Sequence, residues 1–520
     1  MPISLESRLA SLDEYGTTCA IVQLGETPDA DMTVSYAELD QSVSAIANGL
    51  RAHAAPGASI GIVASNSVEW IQADLALLLG GYAEVSVPLG FTADQAAHLI
   101  GSCTLVLVDE PGLRRIDSWR AATGVAFLAL AVVSIKVLRS RPAVMRSEPA
   151  RHDWICKIIH TSGTTSRPKG VKIRAHALDV VVDSLLAWTQ PGDYARYLNL
   201  VPFSLLLEQI TALYLPFVQG GCVILSPSSQ PPLGEIGASV ADKLALMPRA
   251  APSALTLTPS LVDAISATAE RIAADGPHAL SRAIFGTESV PLLAAGGGPV
   301  SPYTLHSLAQ RGIDVLVGYG LSENSSVACW NPRDANRIGT VGKPLPHVEC
   351  RISEEGELGI RSAAAFAGYI GADPSACDVD DDGWLWTGDL ATMDRDGYVS
   401  VVGRKKNLII TAHGRNVSPE FVEATYRQVD GVVECVVLGD QAQSLAALIV
   451  IADDGNAERI QAALVAHGNT QLSSVERVYA FHCVAERDCP RTGLFTVTGR
   501  PRREEVARYL QAAGFFSSLV

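Results

Sequence analysis

A stretch of small and hydroxyl-bearing residues stands out between two short apolar segments. The apolar run 155–159 predicts a buried strand, and residues 161–166 read Thr-Ser-Gly-Thr-Thr-Ser. Small residues let backbone N–H groups close on an anion, and hydroxyls add further hydrogen-bond donors. Arg167 and Lys169 follow and supply positive charge. This combination suits the binding of a triphosphate.

The loop is not a Walker A motif. That motif requires Gly-x-x-x-x-Gly-Lys-Ser/Thr, and the fifth residue after Gly163 is Pro168. Taken alone, an ordinary surface loop rich in Ser, Thr and Gly remains an alternative interpretation.

Two further segments could hold the flat part of a nucleotide. Residues 296–298 are three consecutive glycines, which permit close approach to the backbone. Residues 318–323 read Gly-Tyr-Gly-Leu-Ser-Glu. The face of Tyr319 can stack on a purine, worth on the order of 1 kcal/mol. Ser322 can donate to a phosphate, and Glu323 is a hard oxygen ligand suited to Mg²⁺ shared with a triphosphate.

An aspartate follows a Thr-Gly pair near the end of the larger part of the chain. Asp389 lies in the sequence 382–390, Asp-Gly-Trp-Leu-Trp-Thr-Gly-Asp-Leu, which predicts a tight turn. A carboxylate with two acceptor oxygens is a natural partner for the vicinal diol of a ribose.

These motifs together resemble those of the adenylate-forming superfamily, which includes acyl-CoA synthetases, aryl-CoA ligases, peptide-synthetase adenylation domains and luciferases. Residues 161–171 resemble its phosphate loop, and the resemblance extends from about residue 36 to residue 503, with six motifs in family order. The resemblance implies catalytic roles for Lys169, Glu323 and Arg500, with Glu323 also the metal ligand. The nucleotide-binding residues that it implies are Thr161, Ser162, Gly163, Thr164, Thr165, Gly297, Gly298, Tyr319, Gly320, Ser322, Asp389 and Arg404.

The resemblance also places a substrate pocket and a hinge. Residues 201–210 resemble one wall of the acyl pocket, so Phe203, Leu205 and Gly318 are expected to line it. Many relatives have His where Leu205 stands, and the apolar residue predicts a more lipophilic wall. Lys406 occupies the hinge position, about which a small domain is expected to rotate.

Two departures from the family pattern fall in catalytic loops. Ser166 stands where relatives usually have glycine, and serine tolerates positive φ less well. Arg500 stands where relatives carry the lysine that bridges carboxylate and phosphate oxygens. Arginine keeps the charge but is planar and bulkier.

The elements that must position these residues alternate between helices and strands. Residues 36–50 carry Leu39, Val43, Ile46 and Leu50 on one helical stripe, with Ser35 as N-cap. Apolar runs at 59–64 and 82–87 predict strands on either side of a helix at 68–79. We therefore expect an α/β fold.

The length of the chain requires more than one domain. With 520 residues it exceeds what a single core accommodates. We expect an N-terminal AMP-binding domain at residues 1–403, a hinge at 404–407 and a small, mobile α+β domain at 408–520. Residues 138–153, rich in Arg, Pro and Ser, predict an exposed connection.

Composition excludes several classes of partner. The net charge of −15 argues against nucleic acid or an anionic membrane as the main partner. Ten cysteines without a C-x-x-C pair indicate reduced thiols in a cytoplasmic protein. The most apolar run, 125–134, is too short to span a bilayer. We expect a monomer or homodimer.

The resemblance implies a two-step reaction that uses ATP and Mg²⁺. A carboxylic acid attacks the α-phosphorus of ATP to give an acyl-adenylate, and a thiol, most often that of coenzyme A, then takes the acyl group. One alternative is transfer to a carrier-protein thiol, an amine or a hydroxyl. Another is a nucleotide-binding protein that has lost catalysis. The apolar pocket residues permit aryl or medium-to-long aliphatic acids.

Overall fold

The computed structural model describes residues 4–123, 131–139, 154–161, 169–235, 237–272, 276–370, 379–413, 415–453, 455–495 and 501–515. It consists of five β-sheets with helices packed on their faces. Within the described part, no helix is both long enough and apolar enough to cross a membrane.

The strands are numbered in chain order. Strands β1 to β8 are Cys19–Gln23, Met32–Ser35, Ser59–Val63, Ala83–Ser86, Leu105–Val108, Ala131–Ser134, Ile155–Thr161 and Lys169–Arg174. Strands β9 to β15 are Arg196–Leu198, Cys222–Leu225, Ala254–Leu257, Leu292–Ala295, Val315–Leu321, Ser326–Trp330 and Lys343–Pro344. Strands β16 to β24 are Val348–Ile352, Glu357–Ser362, Leu385–Met393, Val399–Arg404, Ile409–Ile410, Asn416–Val417, Val432–Leu438, Leu445–Ile451 and Val478–Ala485.

The helices are numbered in the same way. Helices α1 to α9 are Leu5–Leu9, Tyr36–Leu50, Val68–Gly80, Ala93–Ile100, Glu110–Thr123, Ile135–Arg139, Ala175–Leu186, Leu206–Glu208 and Leu215–Val218. Helices α10 to α17 are Val240–Ala250, Pro259–Arg271, Pro277–Phe285, Pro302–Gln310, Pro419–Tyr426, Ala457–Gln471, Arg491–Leu494 and Arg503–Ala512. A π-helix, Gln209–Tyr214, joins α8 to α9, and short 3₁₀ helices include Ser322–Asn324 and Lys405–Asn407.

Helix α2 begins as its sequence predicts. The Ser35 hydroxyl accepts a hydrogen bond from the backbone N–H of Glu38, and the Glu38 carboxylate accepts from the Ser35 N–H. Leu39, Val43 and Ile46 on its predicted stripe are fully buried. This stripe packs in the core between the two large sheets.

Two large sheets form the N-terminal part. The six-stranded sheet has the order β6-β5-β3-β4-β7-β8, parallel except for β8. The nine-stranded sheet has the order β15-β14-β13-β12-β11-β9-β10-β1-β2, with a parallel centre. Helices α2, α3 and α7 share one core with both sheets. The predicted alternation of strands and helices, and with it the α/β fold, is confirmed.

The four-stranded antiparallel sheet β16-β17-β18-β19 packs against β13 and β14. It carries the chain to the 3₁₀ helix Lys405–Asn407. Beyond it, strands β20 to β24 form two small sheets. Apolar residues between positions 409 and 515 form the cores of these sheets. This agrees with a smaller α+β region at the C-terminal end, while the exact boundary at 404–407 stays a prediction.

One sequence prediction about a connection is wrong at its start. The sequence predicts that Leu138 begins an exposed connection, but Leu138 lies in α6 and is fully buried in the main core. The apolar pair Ile135 and Leu138 falls on one side of a short helix and is drawn into that core. Residues 140–153 of this predicted connection lie outside the described residues.

Candidate active site

The carboxylate of Asp389 joins residues from two sheets. Asp389 on β18 pairs directly with Arg404 on β19 and is only 5% exposed. Its Oδ1 forms an ion pair with Arg404 Nε at 2.7 Å. Its Oδ2 accepts a hydrogen bond from the hydroxyl of Tyr319, on β13, at 2.5 Å. Three residues singled out from sequence therefore meet at one carboxylate.

Tyr319 is held as a neutral donor. Burial first, and then the neighbouring Asp389 charge, raise the pKa of its hydroxyl well above the usual range. Its half-buried ring packs against the apolar cluster between β14 and the four-stranded sheet. The hydrogen bond to Asp389 holds the ring toward the four-stranded sheet.

Asp389 lies within a strand rather than in a tight turn. The preceding residue, Gly388, adopts φ of +71°, which a side chain would oppose. Its N–H donates to Glu357 Oε1 at 2.9 Å, and pairing with β17 and β19 continues on either side. The predicted Thr-Gly turn is thus an irregularity inside β18, because cross-strand pairing extends past the glycine.

A second group of predicted residues meets at Tyr369. The Tyr369 hydroxyl donates to Glu323 Oε1 at 2.9 Å. The ammonium of Lys169, at the exposed start of β8, lies 4.7 Å from the centre of the Tyr369 ring. Tyr369 itself forms a bridge with Val171 of β8. Glu323 and Lys169 are distant in sequence, and the structure brings them onto one aromatic side chain.

Tyr369 is a site residue that the sequence reasoning did not single out. The Gly-Tyr pair at 368–369 continued the motif order, but nothing in its spacing indicated a partner for Glu323. The contact depends on backbone pairing around it: Ile370 N donates to Gly170 O at 2.8 Å and Phe366 N donates to Glu323 O at 2.9 Å. The segment 366–370 thus lies between β8 and the Glu323 helix.

The predicted nucleotide-binding glycines differ in their surroundings, since one faces open space and another is required by strand packing. Gly297 has φ of +78° and no atom within 4 Å of where a Cβ would lie, so its side faces open space. Gly298 follows, with Pro259 as its near neighbour. A Cβ on Gly320 would lie 2.0 Å from the carbonyl oxygen of Ser326, so close packing of β13 on β14 itself requires this glycine.

The predicted acyl-pocket residues lie on different sides of the nine-stranded sheet core. Phe203 is fully buried and its ring stacks on Trp70 at 4.9 Å. Leu205 is half-buried against the second core cluster. A Cβ on Gly318 would lie 3.1 Å from the ring of Trp330.

The remaining predicted residues have these positions. Thr161 ends β7, where its backbone pairs with Lys169, and Ser322 begins the 3₁₀ helix that carries Glu323. Ser162, Gly163, Thr164, Thr165 and Arg500 lie outside the described residues, as does Ser166.

The predicted hinge borders an open cleft. Lys406 lies in the 3₁₀ helix that follows β19, two residues beyond Arg404. A cleft of about 610 Å³ is lined by Arg404, Lys406 and the Gly388 segment, among others. The Asn407 amide donates to Glu420 Oε1 at 2.8 Å, which ties the end of this helix to the C-terminal region.

The family model "AMP-binding enzyme" matches residues 10–370. The chain belongs to this family. The recognition of an adenylate-forming enzyme from the motifs is therefore confirmed, and the match ends at the segment that contacts Glu323.

Curated relatives of this AMP-binding enzyme include a long-chain-fatty-acid–CoA ligase of Mycobacterium bovis, which is 27% identical and aligns over 85% of this chain and 83% of its own. A feruloyl-CoA synthase of Amycolatopsis sp. is also 27% identical, over 78% and 80% of the two chains.

Solved structures show the same fold. An anthranilate CoA ligase in complex with anthranoyl-AMP superposes with a TM-score of 0.81 at 20% identity, over 99% of both chains. The o-succinylbenzoate CoA synthetase of Bacillus subtilis, with its acyl-adenylate intermediate, gives 0.77 at 20% identity, over 96% and 97% of the chains.

Proposed function

We propose that this AMP-binding enzyme activates a carboxylic acid with ATP to an acyl-adenylate and transfers the acyl group to the thiol of coenzyme A. Family membership and similarity to acid–CoA ligases across most of the chain support this reaction. The observation that carries the proposal is the buried Asp389 carboxylate, held between Tyr319 and Arg404.

Asp389 is suited to receive a ribose. A carboxylate offers about four acceptor positions, so it can take the hydrogen bonds of a vicinal diol while keeping an ion pair. Arg404 keeps the carboxylate oriented from β19. The Tyr319 ring and the open side of Gly297 provide flat surfaces on which a purine could lie.

Glu323 is the residue that would hold Mg²⁺. Its carboxylate is anchored through one oxygen by the Tyr369 hydroxyl, and carboxylate oxygen is the preferred donor for this ion. In the described ranges no cluster of three or more acidic, His or Cys side chains could hold a metal. A site of one carboxylate completed by substrate phosphates fits this arrangement. When bound, the ion would neutralise charge developing on phosphate oxygens.

The chain's own cations would serve the first step. Lys169 presents an ammonium at the end of the phosphate loop, next to the residue that anchors Glu323. Arg500 would span a carboxylate oxygen and a phosphate oxygen through its planar fork. Both act by placing positive charge where the leaving pyrophosphate accumulates negative charge.

The second step would follow rotation of the C-terminal region about Lys406. Attack by a thiol requires a different set of groups around the acyl carbonyl from that which serves adenylation. The short connection Lys405–Asn407 is the segment on which this rotation would turn.

The acid that we propose is apolar, either aryl or medium-to-long aliphatic. Phe203, Leu205 and Gly318 supply no charge to the predicted pocket. The two curated relatives, named for a long-chain fatty acid and for ferulate, span this range.

Two assays test the proposal. ATP–pyrophosphate exchange with a panel of aliphatic and aryl acids should be stimulated by at least one acid class. Acyl-CoA and AMP should then appear in equal amounts when coenzyme A is supplied. Omission of the acid and the Asp389→Ala variant serve as controls. ATP binding without exchange for any acid would contradict catalysis and leave a nucleotide-binding protein.

The same experiment identifies the group that accepts the acyl group. Exchange without acyl-CoA formation, combined with acylation of a phosphopantetheine-bearing carrier, an amine or a hydroxyl, would replace coenzyme A in the proposal. Product analysis by mass spectrometry separates these outcomes.

A further inference from the structure

Two cysteines lie in contact in the apolar cluster that also contains the Tyr319 ring. Cys329 on β14 and Cys350 on β16 have their Sγ atoms 3.8 Å apart. Cys329 is fully buried, whereas Cys350 is half-buried on the edge strand of the four-stranded sheet. The two thiols therefore join the nine-stranded sheet to the four-stranded sheet, with one of them within reach of small solutes.

Their position couples them to the candidate nucleotide site. Cys329 is paired across the strands with Tyr319, whose hydroxyl bonds to Asp389. Cys329, Cys350 and the Tyr319 ring belong to the same apolar cluster. Movement of either sulfur would be transmitted to Tyr319, because packed interiors have little free space to absorb it.

We propose that Cys329 and Cys350 form a reversible disulfide when a hydroperoxide oxidises them. While this disulfide is present, the candidate nucleotide site is inactive. The geometric basis is the sulfur–sulfur contact in the apolar cluster that also packs the Tyr319 ring. The site itself is independent of the proposed function; its effect on catalysis rests on that function.

The two thiols differ in pKa, and this difference determines which of them reacts first with the oxidant. The contact with the Cys329 thiol lowers the pKa of Cys350. That same interaction, together with burial, raises the pKa of Cys329. Since the thiolate is the reactive form, the half-buried Cys350 is the one that meets the oxidant first.

The reaction is balanced with a hydroperoxide as the oxidant. The Cys350 thiolate attacks one peroxide oxygen, the O–O bond breaks, hydroxide leaves and a sulfenic acid forms. The Cys329 sulfur then attacks the Cys350 sulfur, and water leaves with the Cys329 proton. Two thiols lose two hydrogens in total, and the peroxide gains the two electrons. An excess of a dithiol reverses the bond by exchange.

Bond formation must shift the junction. A disulfide requires about 2.05 Å between sulfurs, so the sulfurs must approach by roughly 1.8 Å. The approach of the two sulfurs would disturb the packing around the Tyr319 ring, which lies in the same apolar cluster. A misplacement of about 1 Å in a positioning residue can cost on the order of 100-fold in rate.

A second pair of cysteines provides a matched control. Cys19 on β1 and Cys222 on β10 have Sγ atoms 3.7 Å apart, almost the same separation. Burial is the main cause that raises the pKa of Cys222, to about 12. These strands carry no predicted nucleotide-binding residue.

The test treats the full reduced chain with hydrogen peroxide and then blocks free thiols. Non-reducing peptide mapping should detect a crosslink between the peptides of Cys329 and Cys350. Pyrophosphate exchange should fall at least about tenfold and recover with dithiothreitol. Cys350→Ser should keep basal exchange and lose the peroxide sensitivity. The double variant Cys19→Ser/Cys222→Ala should keep the sensitivity.

Several outcomes would overturn the proposal. These are the absence of the 329–350 crosslink, inactivation that persists in Cys350→Ser, or a crosslink that leaves exchange unchanged. The peptide map does not require activity. A reduced enzyme that shows no exchange with any acid would therefore contradict the proposed function, while the map still decides whether the disulfide forms. A thermal melt of Cys350→Ser checks that the variant is folded.

Discussion

At the level of single residues, Asp389 is a buried charge with two compensating partners, and we propose that it also binds a ligand. Its carboxylate is 5% exposed, and such a group needs compensation. Arg404 supplies a charged partner and Tyr319 a neutral donor. Because its acceptor is ionised, the Tyr319 hydrogen bond is also charge-assisted, and its length of 2.5 Å is typical of such bonds.

Asp389→Ala should weaken ATP binding by about 1.5–3 kcal/mol, the range for a hydrogen bond to a charged group. Isothermal titration calorimetry with ATP measures the change. Asp394→Ala is the matched control, because Asp394 lies just past the same strand but pairs with Arg337. An unchanged ATP affinity in a folded Asp389→Ala protein would remove Asp389 from the nucleotide site.

Glu323→Gln should abolish adenylation at limiting Mg²⁺, since an amide keeps the shape of the side chain but is a poor ligand for a hard cation. Tyr369→Phe isolates the hydrogen bond between the two side chains and should cost about 1 kcal/mol, roughly fivefold in rate. Pyrophosphate exchange over a Mg²⁺ titration measures both variants. Equal rates for Glu323→Gln and wild type at limiting Mg²⁺ would contradict the metal assignment.

At the level of elements, the short helix Lys405–Asn407 is the connection that must bend if the C-terminal region rotates. This helix directly follows β19, and β19 is paired with β18 at Arg404 and Asp389. The start of the helix is therefore held in place by the sheet. On its far side Asn407 contacts Glu420 of α14. Backbone change in this segment would therefore move α14 while leaving the Asp389 pair in place.

Lys406→Pro should separate the two half-reactions. Proline fixes φ near roughly −65° and restricts rotation at that residue. Pyrophosphate should still form in a single turnover, while acyl transfer slows; rapid-quench measurements of both steps show the difference. Lys406→Ala removes the charge but keeps backbone freedom and serves as control. Equal slowing of both half-reactions would place the hinge elsewhere.

The junction between α8 and the π-helix contains a buried acid with an altered pKa. Glu208 accepts hydrogen bonds from Tyr197 and from Asn199, at 3.0 and 2.6 Å. It is fully buried, and this burial raises its pKa to about 8. The folded state therefore holds a proton that the unfolded chain releases near the ordinary pKa of 4.5.

This raised pKa predicts a falling free energy of unfolding as pH rises from about 5 to 8, by up to about 1.4 kcal/mol for each pH unit. Below that window the group is protonated in both states and has no effect. Glu208→Gln mimics the neutral acid and should gain stability relative to wild type across the window. Urea unfolding at pH 5, 6.5 and 8 measures the difference, with exposed Glu349→Gln as control. Parallel pH dependences for Glu208→Gln and wild type would refute the assignment.

At the level of the whole molecule, the C-terminal region contacts the larger part close to the triple glycine 296–298, which is predicted to bind the nucleotide. The Gln428 amide donates to the Ser301 hydroxyl at 2.5 Å, and Ser301 caps helix α13, just after the triple glycine. In the C-terminal region, Phe495 and Pro501 bridge to one another on either side of Arg500. Arg503 is held by the buried Glu423.

Arg500→Ala should slow adenylation by about 10²–10³, the usual cost of losing one preorganised donor to the transition state. Transfer from a supplied acyl-adenylate should be nearly unaffected, since that step would use the rotated arrangement. Arg500→Lys should retain much of the activity because the charge is kept. Arg502→Ala, an exposed neighbour, is the control. Wild-type pyrophosphate release from Arg500→Ala would show that Arg500 is a solvated residue.

The sequence alone determined the family, the α/β fold and many element positions. Helix α2 with its Ser35 cap and strands β3, β4 and β7 follow from periodicity and capping, because these depend on residues close together in the chain. The motifs were likewise local patterns, which is why the family could be recognised from them.

Only the tertiary structure decided which of these residues meet. The Tyr319–Asp389 hydrogen bond joins two sheets across 70 positions, and Tyr369 reaches Glu323 across 46. The contact between Cys329 and Cys350 arises from the same sheet junction. No local pattern specifies such contacts, because they result from how complete sheets pack on one another. The sequence therefore identified the chemical groups, and the packing of the sheets assigned them their partners.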